Sequence, residues 1–105
     1  MGGTDTASVR MTVTGAMLDD DGTLTTGHLL VLAESAGRLV LPSRPGCPSR
    51  CVIDVLGPRP GAGAVLLAGS TTRTAGEQIV VDTVVRREDA DRPVLAVVRQ
   101  LFPHP

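Results

Sequence analysis

Val9, Met11 and Val13 alternate with Arg10, Thr12 and Thr14, and the pattern continues to Met17 past an interruption at Gly15. That two-residue period predicts a half-buried strand, and a glycine within it permits the bulge or sharp coil with which small barrels close. Asp19-Asp20-Asp21-Gly22 has the composition of a turn. His28 to Glu34 and Arg38 to Pro42 are apolar on both faces and flank Ser35-Ala36-Gly37, which predicts a hairpin in a covered sheet. Between Pro42 and Cys51 the chain carries three prolines and a glycine, so no regular ladder is expected there. Cys51 to Leu56 is a short apolar run of ambiguous type, closed by Gly57-Pro58-Arg59-Pro60-Gly61. Ala64 to Gly69 and Gln78 to Arg87 predict a second hairpin, with Ile79, Val81, Thr83 and Val85 alternating with Val80, Asp82 and Val84. Near the end, Asp91 can cap a short helix carrying Val94, Val97, Val98 and Leu101 at helical spacing. The β-branched content of the same stretch also suits a sixth strand.

One layout therefore occurs twice: an apolar run reaching a glycine, a polar stretch, a second glycine and another apolar run. It passes through Gly15 and Gly27, then through Gly69 and Gly76. Short strands with regularly spaced turn signals predict an all-β, mainly antiparallel fold of five or six strands. The order resembles a small OB-fold-like β-barrel. Val9 to Leu18 matches its bent first strand, His28 to Pro42 its meander, Pro42 to Ala64 its crossover and Ala64 to Arg87 its closing hairpin, with or without a short C-terminal helix. Residues 1–105 read as a single domain with a flexible start at 1–8 and a frayed tail at 102–105.

Composition narrows the function classes. The chain is 42% hydrophobic and 20% charged, which is globular rather than disordered. Phe102 is the only aromatic residue, so a nucleic-acid surface here would lack rings on which to stack bases. The net charge of −1 argues against a general polyanion binder. Met1 to Arg10 has no apolar signal core and no run is long enough to span a membrane, which gives the expectation of a cytoplasmic protein with no membrane partner.

Three features invite a chemical reading. Met17 to Leu24 resembles the D-x-D-G-T-L motif of haloacid-dehalogenase-like phosphatases. That resemblance implies Asp19 as nucleophile, Asp21 as general acid/base and a magnesium ion, with Ser70 or Thr71 binding phosphate. The chain departs from the family in having no lysine and no acidic pair after a later strand. Cys47 and Cys51 form a C-x-x-x-C pair that reads as two reduced thiols, a reversible disulfide or half of a metal site completed by His28 and His104, with Arg44 and Arg50 favouring thiolates. Finally, Arg38, Arg44, Arg50 and Arg59 face only Asp54 between Arg38 and Gly63, a local net charge of +3.

The reading that follows is a non-catalytic binding or accessory module whose working surface is the arginine-bearing crossover. It implies a protein partner or self-association, no cofactor, no metal and no catalytic residue. Nucleic-acid binding by an OB-like barrel is the alternative, and a phosphatase using Asp19 and Asp21 the second alternative.

Overall fold

The computed structural model describes residues 6–41, 48–88 and 93–103. Its elements in chain order are β1 (Thr6–Thr12), a 3₁₀ turn (Gly15–Met17), α1 (Thr26–Val40), β2 (Arg50–Val55), β3 (Val65–Ala75), β4 (Gln78–Arg87) and β5 (Val94–Pro103).

The segment expected to be a hairpin is instead one helix. Leu29, Leu32, Ala33, Ala36, Gly37 and Val40 are its buried positions, and they recur at intervals of three and four, the helical period. The Thr25 hydroxyl caps the start by accepting the His28 N–H at 3.1 Å. No proline falls between Thr26 and Val40, and Ser35-Ala36-Gly37, which resembles a turn, lies inside the helix. An all-apolar run satisfies both a two-faced strand and a helical stripe, so its pattern alone did not separate them. Gly37 lets the helix pack closely on the sheet: a Cβ there would lie 3.2 Å from Val81 Cγ1 and 3.3 Å from Gln100 Oε1, so those side chains would have to shift by a few tenths of an ångström.

The five strands form a single antiparallel sheet in the order β1-β3-β4-β5-β2. β1 and β2 are its two edges and do not pair with each other, so the sheet is open. This corrects the expected OB-like barrel. The reason lies in α1, which replaces the meander needed for closure and packs on β1, β3 and β4.

The second hairpin forms as β3 and β4, registered from Ala75 opposite Gln78 to Leu66 opposite Arg87. Gly76 takes φ 62° in its turn, a conformation that favours glycine. The C-terminal stretch is a strand rather than a helix, with Ala96, Val98, Gln100 and Phe102 buried at two-residue spacing. Its proposed cap, Asp91, lies outside the described residues.

Two clusters make the core. Val13, Leu24, Leu29, Leu32, Leu66, Val85 and Leu95 anchor the larger, and Val40, Val81 and Phe102 the smaller. The register puts Cys51 opposite Gln100 and Val55 opposite Ala96, so these β2 residues share the inner face with the core positions of β5. Yet Cys51, Val55 and the adjoining Leu56 are exposed. α1 thus covers the β1 side of the inner face and leaves the β2 side open.

Candidate functional site

At the start of α1 the loop from Leu18 to Leu24 is tied by Asp19. Its Oδ1 accepts the Asp21 N–H at 2.9 Å, the Thr23 N–H at 3.3 Å and the Thr23 hydroxyl at 3.3 Å. Burial opposes ionisation of Asp19, but these donors, with the Arg59 guanidinium behind them, outweigh it and hold the carboxyl below its ordinary value. Arg59 stands 3.9 Å from Asp19 Oδ2 and donates to the Thr26 hydroxyl at 3.3 Å, bracing the loop against the helix. Asp19 is therefore a turn-forming residue, and Asp21 is exposed at the turn. The phosphatase reading falls here, because the sheet is antiparallel throughout and lacks the parallel strands joined by helices that such an enzyme requires.

The open half of the inner face has different chemistry. Glu34 is the only acidic residue on α1 and is exposed, with Arg38 Nη2 no closer than 4.0 Å. It lies one turn before Gly37, the point where the helix meets Gln100 and Val81. Burial, and then the charge of Glu34, push the Cys51 thiol above its usual value. Around them Val31, Val55 and Leu56 are 60%, 43% and 62% exposed, an unusual density of uncovered apolar surface.

The residues singled out by the sequence are dispersed. Arg38 lies on the exposed flank of α1, Arg50 begins β2, Arg59 braces the loop before α1, and Arg44 falls outside the described residues. Arg50 lines a groove of about 510 Å³ on the opposite face of the sheet, with Arg73 and Arg99 beside it. Among the described residues, Arg38, Arg50 and Arg59 thus stand on three different elements: α1, β2 and the loop that braces α1. Cys47 and His104 also lie outside the described residues. His28 is engaged locally, with Nδ1 2.7 Å from the Thr25 hydroxyl. Arg50 does not help to ionise Cys51, since consecutive strand residues point to opposite faces. Glu34 and Gln100 went unnoticed in the sequence, although a lone acid within Leu29 to Gly37 was a usable signal.

No family model matches the sequence, and no curated protein does. Solved structures do match. The PaaI protein from the phenylacetic acid degradation operon of E. coli superposes with a TM-score of 0.80 at 28% identity, covering 95% of this chain and 72% of that one. A variant of PaaI from Thermus thermophilus gives 0.82 at 26% identity, covering 95% and 85%. The 1,4-dihydroxy-2-naphthoyl-CoA thioesterase Slr0204 from Synechocystis gives 0.79 at 17% identity, covering 94% and 81%, a likeness of fold. The fold is the hotdog fold. These likenesses overturn the OB-like assignment and, with it, the binding-module and nucleic-acid-barrel readings that were built on that fold. Among the described residues no helix is long and apolar enough to cross a membrane.

Proposed function

We propose that this chain hydrolyses acyl-CoA thioesters at a site built between two copies of itself, with Glu34 as the carboxylate that activates water. The observation that carries this reading is the placement of Glu34, a lone carboxylate at the open, apolar half of the inner face of a hotdog fold. The likeness to PaaI proteins and to a CoA thioesterase supports it.

The chemistry asks for little more. A thioester presents an apolar acyl group, an electrophilic carbonyl carbon and a leaving thiol of pKa about 8.5, which departs without a strong acid. Glu34 takes a proton from water as its oxygen attacks the carbonyl carbon, the carbonyl oxygen gains negative charge, and collapse breaks the C–S bond to release the carboxylic acid and the thiol. The developing oxyanion needs donors. Thr25 engages the N–H groups of His28 and Leu29, which leaves those of Thr26 and Gly27, the first in the helix, without intrahelical acceptors at an end that favours negative charge.

Glu34 follows Thr26 by eight residues on the same helix, about 12 Å along the axis at ~1.5 Å per residue. One carbonyl group cannot touch both, so the helix start serving a given Glu34 is that of a second copy. The unpaired edge of β2 and the exposed Val55 and Leu56 provide a surface for such self-association, and a two-fold contact builds two equal sites.

Thiol release from a panel of aliphatic and aromatic acyl-CoA substrates tests the reading. Glu34→Gln should lower kcat by about 10²–10⁴ without changing the fold. Gly27→Pro removes the Gly27 N–H in the first turn of the helix, where no intrahelical bond is lost, and it should also lower kcat. Mixing the two variants and allowing subunits to exchange should restore about a quarter of wild-type activity, because each mixed dimer regains one intact site. A wild type that releases no thiol from any member of the panel defeats the proposal.

A further inference from the structure

The two edges of the sheet differ. β1 has α1 packed against it, whereas five of the six residues of β2 are exposed and only Ile53 is half-buried. The Leu56 N–H donates to the Leu95 carbonyl at 2.8 Å. Backbone groups turn to alternate sides along a strand, so those of Arg50, Val52 and Asp54 point toward β5 and those of Cys51, Ile53 and Val55 toward the free edge. Such an unpaired row, on a strand whose Val52 is 39% exposed, is a template for another strand. The outer face of β2 carries Arg50, Val52 and Asp54 in that order. Neither charged residue has an ion-pair partner among the described residues.

We propose that β2 pairs antiparallel with β2 of a second copy about a two-fold axis at Val52, in the register that sets Arg50 opposite Asp54 of the second copy. The proposal rests on the two-copy arrangement above and deepens it by fixing how the copies align. A two-fold axis perpendicular to the sheet keeps each face continuous, so residues standing opposite one another share a face and the axis passes through a residue. An axis at Cys51 would set Arg50 opposite Val52. An axis at Ile53 would set Asp54 opposite Val52 and Arg50 opposite Leu56. Only the axis at Val52 gives both charges an unlike partner, twice over, with the two exposed valines in contact between the pairs. In that register Cys51 exchanges backbone hydrogen bonds with Ile53 of the second copy. The outer-face pairs then fall at the positions where side chains lie closer, with Cα atoms about 4.5 Å apart.

Two charge-reversed variants, Asp54→Arg and Arg50→Glu, test the register by native mass spectrometry. Each sets like charges opposite one another in both pairs of its own dimer and should weaken self-association about tenfold. An equimolar mixture brings unlike charges together again, so mixed dimers should make up about nine-tenths of all dimers rather than the roughly one half expected if charge plays no part. Cross-linking gives a second measurement. In a background of Cys47→Ser and Cys51→Ser, Val52→Cys should oxidise to a covalent dimer, because about 4.5 Å is within the span of a disulfide. Ile53→Cys in that background, and native Cys51 in a Cys47→Ser chain, stand two residues out of step with their counterparts, beyond the ~7 Å limit, and should form no covalent dimer. A mixture at about one half, or a covalent dimer through position 51 or 53 instead, overturns the register and leaves thiol release from acyl-CoA to stand by itself. Mixed dimers and the Val52→Cys cross-link without hydrolysis of any acyl-CoA support the register and overturn the thioesterase reading. A wild type that stays monomeric overturns both.

Discussion

Ser35→Pro separates the helix from the turn that the sequence suggests. In α1 Ser35 is the tenth of fifteen residues, and its hydroxyl donates to the Val31 carbonyl at 2.9 Å, the acceptor one turn back. Proline there deletes the N–H that bonds the same carbonyl and drives its ring against it, at a cost of ~3 kcal/mol or more. Because one kcal/mol moves the midpoint of a domain of this size by roughly 4–8 °C, the expected fall in Tm is about 12–24 °C. Against a total stability of roughly 5–15 kcal/mol such a loss is severe but measurable. Ser35→Ala is the control. It removes the same hydroxyl while favouring the helix, and as an exposed site it should stay within about 0.5 kcal/mol of wild type. Circular dichroism melts and urea titrations at one fixed protein concentration give both values and keep any contribution from self-association constant. A hairpin turn at Ser35-Ala36-Gly37 would instead accommodate proline readily. A Ser35→Pro midpoint within a few degrees of Ser35→Ala would refute the helical account of this segment.

Two further outcomes follow from the site. The Asp19 carboxyl is held below the ordinary aspartate value, so its contribution to stability is complete above that ordinary value and is lost as pH falls through the lower folded-state value; Asp19→Ala should flatten the acid limb of stability against pH, and an unchanged limb would remove Asp19 from the account. In a Cys47→Ser background, Glu34→Gln should raise the fraction of Cys51 thiolate and speed alkylation by iodoacetamide at pH 8, because the carboxylate is one of the two influences pushing that thiol up; an unchanged rate would separate Glu34 from Cys51.

Where one periodicity stands clear of the others, the fold was legible from sequence. Val9 to Val13 alternates with polar residues on an edge strand, and Gln78 to Arg87 alternates in a hairpin turned by Gly76, so β1, β3 and β4 were visible. α1 was misread because Leu29 to Ala33 is apolar at every position, which hides a period of 3.6 behind a period of two. At Val94, Val97, Val98 and Leu101 a helical spacing arose by coincidence within a strand rich in valine, so helix and strand both stayed open in the sequence. The site was less legible still. Cys51 stands opposite Gln100 only through strand register, and Gly37 comes against Gln100 only through the placement of α1, long-range facts that no local window contains. The arginines attracted attention by their density in the chain, and of the described ones Arg38 stands on α1, Arg50 on β2 and Arg59 in the loop beside α1.

The strand order β1-β3-β4-β5-β2 also governs the time course of folding. The two hairpin-like contacts, β3 with β4 and β4 with β5, are local, but Thr6 opposite Thr71 and Arg50 opposite Leu101 require both outer strands to find partners far along the chain. Topologies dominated by such distant pairings fold in milliseconds to seconds rather than microseconds. During synthesis the first strand made has no partner until β3 has left the ribosome, and β2 waits for nearly the whole chain. Newly made molecules therefore pass through an interval in which two apolar ribbons are free at once, and how fast β3, β4 and β5 assemble sets how long neighbouring nascent chains can pair with them instead.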